Sequence, residues 1–296
     1  MICSCHGSST RVFRSTGWKP VIRKMEHCRL CGSESRFLFC QRVLHKHDVC
    51  YHRCAACDLI QSENPWWLGE AYTTAINSFD TGAIARNLRC ADLSLVTASL
   101  LNIGASSRCA DVGGGHGVLV RIMRDRGLNF RLCDKYAQNL YARGFEADPD
   151  ERFDFVTCFE VFEHFADVAG EMERLFAPRH DGILVSTVLH RGHREGWWYY
   201  GPTHGQHIAF YSRQTMRFIA ERFGYRCVAG QAYTLFVRDG LAVSAATRSL
   251  LRKVILRSRA DRNSKWVRSL SMILPKHAAL TSSDSEALLA QRRAAA

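Results

Sequence analysis

Residues 109–120 read CADVGGGHGVLV, and four of the five positions 113–117 are glycine. Inside a helix or strand each glycine costs roughly 0.5–1 kcal/mol relative to alanine. The cluster therefore marks a sharp turn between two apolar runs, where the backbone approaches something closely. The pattern around it alternates. RCADV is a short apolar strand, and GVLVRIMRDRG is helical and closed by Gly127. NFRLCD is a second strand and YAQNLYARG a second helix. FDFVTCFEVFEH opens as a strand, DVAGEMERLFA follows as a helix ended by Pro178, and GILVSTVL (182–189) is a buried strand. Such alternation over residues 108–189 predicts an α/β fold, a doubly wound Rossmann-like parallel sheet covered on both faces. Before it, residues 83–102 repeat apolar positions at helical spacing. After it, Ser212 caps the helix RQTMRFIAERFG, and YRCVAGQAYTLFVR supplies one or two late strands.

Open sheets of this kind bind ligands beyond the carboxyl ends of their strands, and the glycine loop lies there. Its register is Asp111-x-Gly113-x-Gly115-x-Gly117. That is not the G-x-G-x-x-G of dinucleotide sites, because position 118 is valine, and no lysine follows as a phosphate-binding loop requires. The loop suits a cofactor without phosphates. Backbone packs against a nucleoside, and Asp111 holds a cationic amino group directly or through water. Asp134 closes the next strand 23 residues later and is matched to ribose hydroxyls, since a carboxylate accepts several hydrogen bonds.

On these residues the chain resembles the class I S-adenosylmethionine-dependent methyltransferases. ADVGGGHG is similar to their first motif, LCDKYAQN to the ribose-binding strand end, and FDFVTCFEVFEHFAD to the strand and turn that line the cofactor pocket. The resemblance spans roughly residues 83–235 and implies S-adenosylmethionine as cofactor. It assigns cofactor binding to Asp111, Gly113, Gly115, Gly117, Asp134, Lys135, Cys158, Phe159, Glu160 and His164. By it, Glu160 ends the fourth strand beside the sulfonium, and Cys158 and Phe159 flank the cofactor. Glu163 and His164 form the turn beneath, with His164 packing and orienting rather than catalysing. Glu146 and Asp148 stay equally open as the acid at adenine.

The chain has 13 cysteines, and their placement separates two uses. Cys109, Cys133, Cys158 and Cys227 fall singly in apolar strand-like runs, where a thiol behaves as a small hydrophobe. Cys28-x-x-Cys31 and Cys54-x-x-Cys57, with 22 residues between the pairs, suit tetrahedral Zn²⁺ with sulfurs about 2.3 Å from the metal. Four thiolates satisfy the ion, so the site is structural, and Cys40, Cys50, His45, His47 and His52 read as ordinary residues. A module of about 40 residues has little core and draws its stability from such a metal. It is expected to form a lid or wall of the substrate cleft.

Zinc-ligand spacing of this kind, running into YHRCAACDLIQSENP and Tyr72, resembles the deoxysugar C-methyltransferases, which act on nucleotide-linked sugars. That resemblance implies a site in GWWYYGPTHGQHIAFYSRQTM (196–216). The family's Glu-His pair matches Gln206 and His207, and His207 becomes the expected general base, titrating near neutral pH. His204 and Tyr199 are the reserves. Glutamine at 206 removes the charge that would bias the histidine.

The net charge of +12 resides at the ends. Residues 1–24 hold five basic residues and no acid, residues 248–276 hold nine against one, and the remainder carries 26 basic and 27 acidic residues. The expected organisation is a disordered leader (1–24), a zinc-binding module (25–64), a linker (65–82), the methyltransferase domain (83–240), and a basic helix with a flexible tail (241–296). No apolar run of about 18 residues exists, and the N-terminus lacks the apolar centre of a signal peptide. A cytoplasmic protein with no membrane partner is expected, of unstated oligomeric state. The expected reaction is methyl transfer to a small-molecule acceptor, a sugar (a nucleotide-sugar among the candidates) or a secondary-metabolite or glycan intermediate. The alternative is an enzyme that grips nucleic acid, RNA, with the zinc module and the basic ends. Against it, the stretch after the fourth strand reads FEVF instead of Asn/Asp-Pro-Pro-aromatic, and the chain has no Pro-Cys dipeptide.

Overall fold

In the computed structural model the described residues are 26–72, 81–259, 265–274 and 277–295. The expected leader, residues 1–24, lies outside them. The elements run β1 (Glu26–His27), β2 (Glu34–Val43), β3 (His47–Cys54), β4 (Ile60–Ser62), α1 (Leu68–Ala71), α2 (Ala83–Leu100), β5 (Arg108–Val112), α3 (Val118–Asp125), β6 (Asn129–Cys133) and β7 (Phe155–Phe159). They continue with α4 (Val168–Phe176), β8 (Gly182–Ser186), β9 (Ala209–Phe210), α5 (Arg213–Phe223), β10 (Tyr225–Ala229), β11 (Tyr233–Arg238), α6 (Ala245–Arg257), α7 (Lys265–Ile273) and α8 (Thr281–Ala295).

The larger sheet has the order β10-β11-β8-β7-β5-β6. β6, β5, β7 and β8 are parallel, while β11 and β10 join antiparallel. Successive side chains of a strand point to opposite faces, and both faces are apolar here. Val156, Cys158, Ile183 and Val185 pack with Val168, Met172 and Phe176 of α4 and Met216 and Ile219 of α5. Cys109, Phe130, Phe155 and Leu184 pack with α2, α3, α6 and Val267 of α7. Helices on both faces of a mostly parallel sheet are the doubly wound arrangement. The helix stops fit their residues. Asp167 caps α4, Ser212 and Thr215 form a capping box on α5, and Gly224, at φ +75°, ends α5 in the left-handed conformation that glycine adopts without penalty.

Two expectations are corrected. Residues 136–144 form no helix. Asp134 Oδ1 accepts from the amides of Tyr136 and Ala137, and Asn139 Oδ1 from that of Ala142. Such local side-chain bonds offer backbone amides an alternative to the helical ladder. Between this segment and β7 a single parallel bridge joins Leu132 to Glu146. Residues 241–296 are not one helix and a flexible tail but carry α6, α7 and α8. α6 buries Leu251, Val254 and Ile255 in the core, and Asp284 of α8 receives a buried two-bond contact from Arg124 of α3 at 2.8 and 2.6 Å.

The smaller sheet, β1-β2-β3-β4-β9, is antiparallel throughout. Cys40 and Cys50 face each other across β2 and β3 and are joined by a disulfide, so they are not the ordinary residues expected. An aromatic cluster of Phe39, Tyr51, Trp67, Tyr199, Tyr200 and Phe210 fills its inner side. The expected linker contributes to it: Trp67 is buried and its Nε1 donates to the Gly205 carbonyl at 2.8 Å. No helix among the described residues is long and apolar enough to cross a membrane.

Candidate active site and cysteine cluster

The glycine loop follows β5, and its geometry explains its composition. Gly113, Gly115 and Gly117 have φ of +69°, +58° and +85°. A Cβ at Gly114 would collide with the Asp111 carboxylate, and one at Gly113 with Val161, so the loop is seated on the turn after β7. At Gly115 a Cβ would meet nothing within 4 Å; the loop opens there. Asp111 is buried with its Oδ1 accepting from the Thr157 hydroxyl at 2.6 Å. Burial pushes its carboxyl up to about 7, against the opposing Thr157 bond. Asp134 closes β6 as expected. Its Oδ2 accepts from the Gly115 amide at 2.8 Å, so it fastens the loop, and with two further backbone amides on Oδ1 one of its roughly four acceptor sites stays free.

Two expected cofactor residues sit otherwise. Lys135 reaches Glu171 of α4 at 2.8 Å, away from the loop. The Cys158 side chain is fully buried in the core between β7 and α4, so no sulfur of it lines the loop. Phe159 packs partly into the opposite face, against Tyr233.

Beyond β7 the backbone strains. Glu160 has φ +56°, a conformation costly for a non-glycine residue. Its Oε1 accepts from the Ser186 hydroxyl at 2.5 Å. Burial, reinforced by Glu163, raises its carboxyl to about 7. A single 3-10 turn, Phe162–His164, then presents Glu163 and His164. Glu163 is fully buried and held up at about 7 by burial. Its Oε1 accepts from the Tyr199 hydroxyl at 2.8 Å, and its Oε2 has no partner.

The loop 199–210 meets this turn. Ile208 donates its amide to the Glu163 carbonyl at 2.8 Å. The rings of His164 and His207 are 5.0 Å apart, and those of His204 and His207 4.7 Å. A carboxylate oxygen of Glu163 and a nitrogen each of His164 and His207 lie within 4.8 Å of one another. The three residues expected to be catalytic differ in what they have free. His207 donates Nδ1–H to the Tyr199 carbonyl at 2.7 Å, which fixes the tautomer with an unshared pair on Nε2. Burial, with His164 next, lowers its pKa well below the ordinary value and keeps it neutral. His204 does the reverse: its Nδ1 accepts from the Gln206 amide at 3.2 Å, so its proton is on Nε2. Tyr199 is buried, its hydroxyl committed to Glu163 and Thr187.

Tyr72 enters this group although the sequence named it only as a family marker. Its hydroxyl meets His164 Nδ1 at 2.9 Å. Gln206 draws it there, since Gln206 Nε2 donates to the Ala71 carbonyl at 2.8 Å. Nothing local in the sequence signals that contact, which joins residues 135 positions apart.

The four paired cysteines converge. Cys28 and Cys57 sulfurs are 3.5 Å apart, as are Cys31 and Cys54, and all four fall within 4.8 Å. Thiolates about 2.3 Å from a tetrahedral ion would lie roughly 3.8 Å from each other, so this donor set fits a tetrahedral metal. Gly32 at φ +75° and Asp58 at φ +68° turn the two knuckles. The cluster is tied to the 206–212 loop. Arg29, between the first two cysteines, donates to the Ile208 carbonyl at 2.5 Å and to Ala166 at 3.3 Å. β4 pairs with β9, directly after His207.

The doubly wound sheet, with an acid-glycine loop after its first parallel strand and an acid closing the next, is the arrangement that the resemblance to class I S-adenosylmethionine-dependent methyltransferases implies. Residues 84–229 match the protein family described as "Methyltransferase domain". The chain is also similar to the ubiquinone biosynthesis O-methyltransferase of Psychrobacter arcticus, at 27% identity over 154 residues, 43% of this chain. It spans 59% of the length of that curated relative. Among solved structures it is similar to magnesium protoporphyrin IX methyltransferase from Synechocystis with bound SAH, at 15% identity and a TM-score of 0.41, covering 58% of this chain and 93% of that one. Another is the Burkholderia thailandensis 1,6-didemethyltoxoflavin-N1-methyltransferase, at 13% identity and a TM-score of 0.41, covering 64% and 96%.

Proposed function

We propose that this chain transfers the methyl group of S-adenosylmethionine to a small-molecule acceptor, a sugar or a secondary-metabolite or glycan intermediate, with His207 as general base. The observation that carries the reading is the state of His207. Its Nδ1 proton is spent on the Tyr199 carbonyl, its other nitrogen is free, and it stands beside the turn that seats the glycine loop. The family match over residues 84–229 supports methyl transfer, and the likeness to an enzyme named as a ubiquinone biosynthesis O-methyltransferase supports a small acceptor.

The chain's residues divide the work. The opening at Gly115 and the free acceptor site on Asp134 take the nucleoside, and the buried Asp111 and half-buried Glu160, whose carboxyls burial raises to about 7, ionise against a cationic ligand. The cofactor supplies an electrophilic methyl on a sulfonium. His207 removes the acceptor's proton, and orientation by the surrounding aromatic loop provides much of the acceleration. Cys28, Cys31, Cys54 and Cys57 hold a structural Zn²⁺ that fixes the loop bearing His207.

The test is transfer of radiolabelled methyl into two pools from the source cells, small metabolites and total nucleic acid. Label in the small-metabolite pool, lost on His207→Ala with S-adenosylhomocysteine binding intact, is expected. Label in RNA or DNA instead would replace the acceptor reading with the nucleic-acid alternative.

A further inference from the structure

An imidazole that takes a proton inside a buried loop becomes a cation, and a buried charge without a counter-charge costs several kcal/mol. The residue before His207 does not supply one. Gln206 is neutral, and its side-chain amide is occupied by the Ala71 carbonyl. The groups around His207 are His164, His204 and Tyr199, with Glu163 behind them; Glu163 in turn is faced by Tyr72, Glu160, Tyr211 and Arg86.

The geometry points to Glu163 as the charge partner of His207, a positioning residue that takes the place a glutamate at 206 would fill. This rests on the reading of His207 as the base. Three observations carry it. One residue aligns both partners, since the Tyr199 hydroxyl holds Glu163 Oε1 at 2.8 Å and the Tyr199 carbonyl holds His207 Nδ1 at 2.7 Å. The second oxygen, Oε2, is buried and unpartnered, and such an atom is expensive unless it has a task. A Glu163 oxygen and nitrogens of His164 and His207 already lie within 4.8 Å.

The step balances. The acceptor's proton moves to the free nitrogen of His207. The acceptor's electron pair forms the bond to the methyl carbon, whose bond to sulfur breaks with its pair left on sulfur. With Glu163 ionised, protonation of His207 takes the pair from −1 to neutral, so no uncompensated cation is left in the buried site.

The experiment uses the full chain and the labelled small-metabolite pool, with initial rates taken from pH 5.5 to 9. Glu163→Gln is expected to lower transfer at least tenfold and to move the acid limb of the profile to lower pH. S-adenosylhomocysteine affinity should stay within threefold. In Glu163→Gln/Gln206→Glu the charge returns from the other side, and transfer should recover to within a few-fold of the unsubstituted chain. Transfer by Glu163→Gln at the unsubstituted rate, or a double variant as slow as the single one, would overturn the assignment. Should Glu163→Gln fail to fold, Tyr199→Phe frees Oε1 while keeping the carbonyl bond to His207, and an unmoved acid limb there overturns it equally. Absence of label from the unsubstituted chain would instead sink the acceptor reading itself.

Discussion

The two sheets of this molecule are built from different materials. In the larger one, β7 and β8 are apolar on both faces, and five consecutive residues of β8 are buried. Its stability comes from area removed from water on both sides, about 25 cal/mol per Å². The smaller sheet mixes buried positions with half-buried and exposed ones along β2 and β3. It gathers its sulfurs, its disulfide and its aromatic cluster in place of a second apolar layer. The difference teaches where the rigid and the dependent parts lie. The glycine loop stands on the sheet that holds itself together. His207 stands on a loop whose next strand, β9, belongs to the smaller sheet. On the proposed reading, cofactor binding rests on the larger sheet and proton removal on a loop tied to the smaller one, while Cys28, Cys54 and Cys57 pack into the α4–α5 side of the larger sheet's core.

The comparison breaks most readily at the cysteines. Cys57→Ser opens the four-cysteine set, and the Zn²⁺ proposed there would contribute on the order of 10 kcal/mol to the fold of its module. Loss of bound zinc and a melting temperature lower by more than about 10 °C are expected, read by metal analysis and calorimetry. Zinc content below one per chain in the unsubstituted protein would remove the metal from the account. Leu184→Ala, in the fully buried centre of the larger sheet, should cost about 2–5 kcal/mol by denaturant unfolding. That cost should be the same with and without chelator, because Leu184 packs on the α2–α6 face of the sheet, opposite the face that meets the cysteine cluster.

Asp111 sharpens the same contrast through pH. Its folded pKa, about 7, lies above the unfolded value of 3.8, so the native state binds more protons between the two. Stability relative to Asp111→Asn is therefore greatest in acid and is lost as pH rises through 7. The expected loss is about 2.5 kcal/mol between pH 5 and pH 8. A difference between the two proteins that stays flat over that range would mean the carboxyl is not held protonated. Smaller still, Asp134→Ala should weaken S-adenosylhomocysteine roughly tenfold, about 1.4 kcal/mol, by isothermal calorimetry. Lys135→Ala should change that affinity less than twofold, because its exposed pair with Glu171 is of the kind worth under about 1 kcal/mol.

Legibility in the sequence followed the range of the interactions. β5, α3, β6, β7, α4 and β8 were readable because apolar period and turn residues are local signals, and Ser212 and Gly224 bound α5 by local chemistry. The helix expected at 136–144 failed for a reason that also sits in the sequence. Asp134 and Asn139 are residues that compete for their neighbours' amides, and here they win. The Cys28–Cys57 spacing foretold the convergence of sulfurs. It could not foretell the Cys40–Cys50 disulfide, which depends on the register of a hairpin containing a bulge between Phe37 and Phe39. Around His207 the sequence named His204, Tyr199, Glu163 and His164 but not that they meet. Tyr72, His164 and Glu163 come from two other segments, brought to this loop by Gln206 to Ala71 and Ile208 to Glu163 contacts that no spacing rule encodes. Lys135 and Cys158 were carried onto the cofactor by motif position alone, and their side chains point elsewhere.

The division between the two sheets is tested most directly by hydrogen exchange on the full chain before and after metal removal, with S-adenosylhomocysteine affinity measured on the same samples. The account predicts lost protection at residues 26–62 and 206–210, unchanged protection at 109–134, and unchanged affinity. Protection lost together across both regions, or retained at 206–210 in metal-free protein, would contradict it.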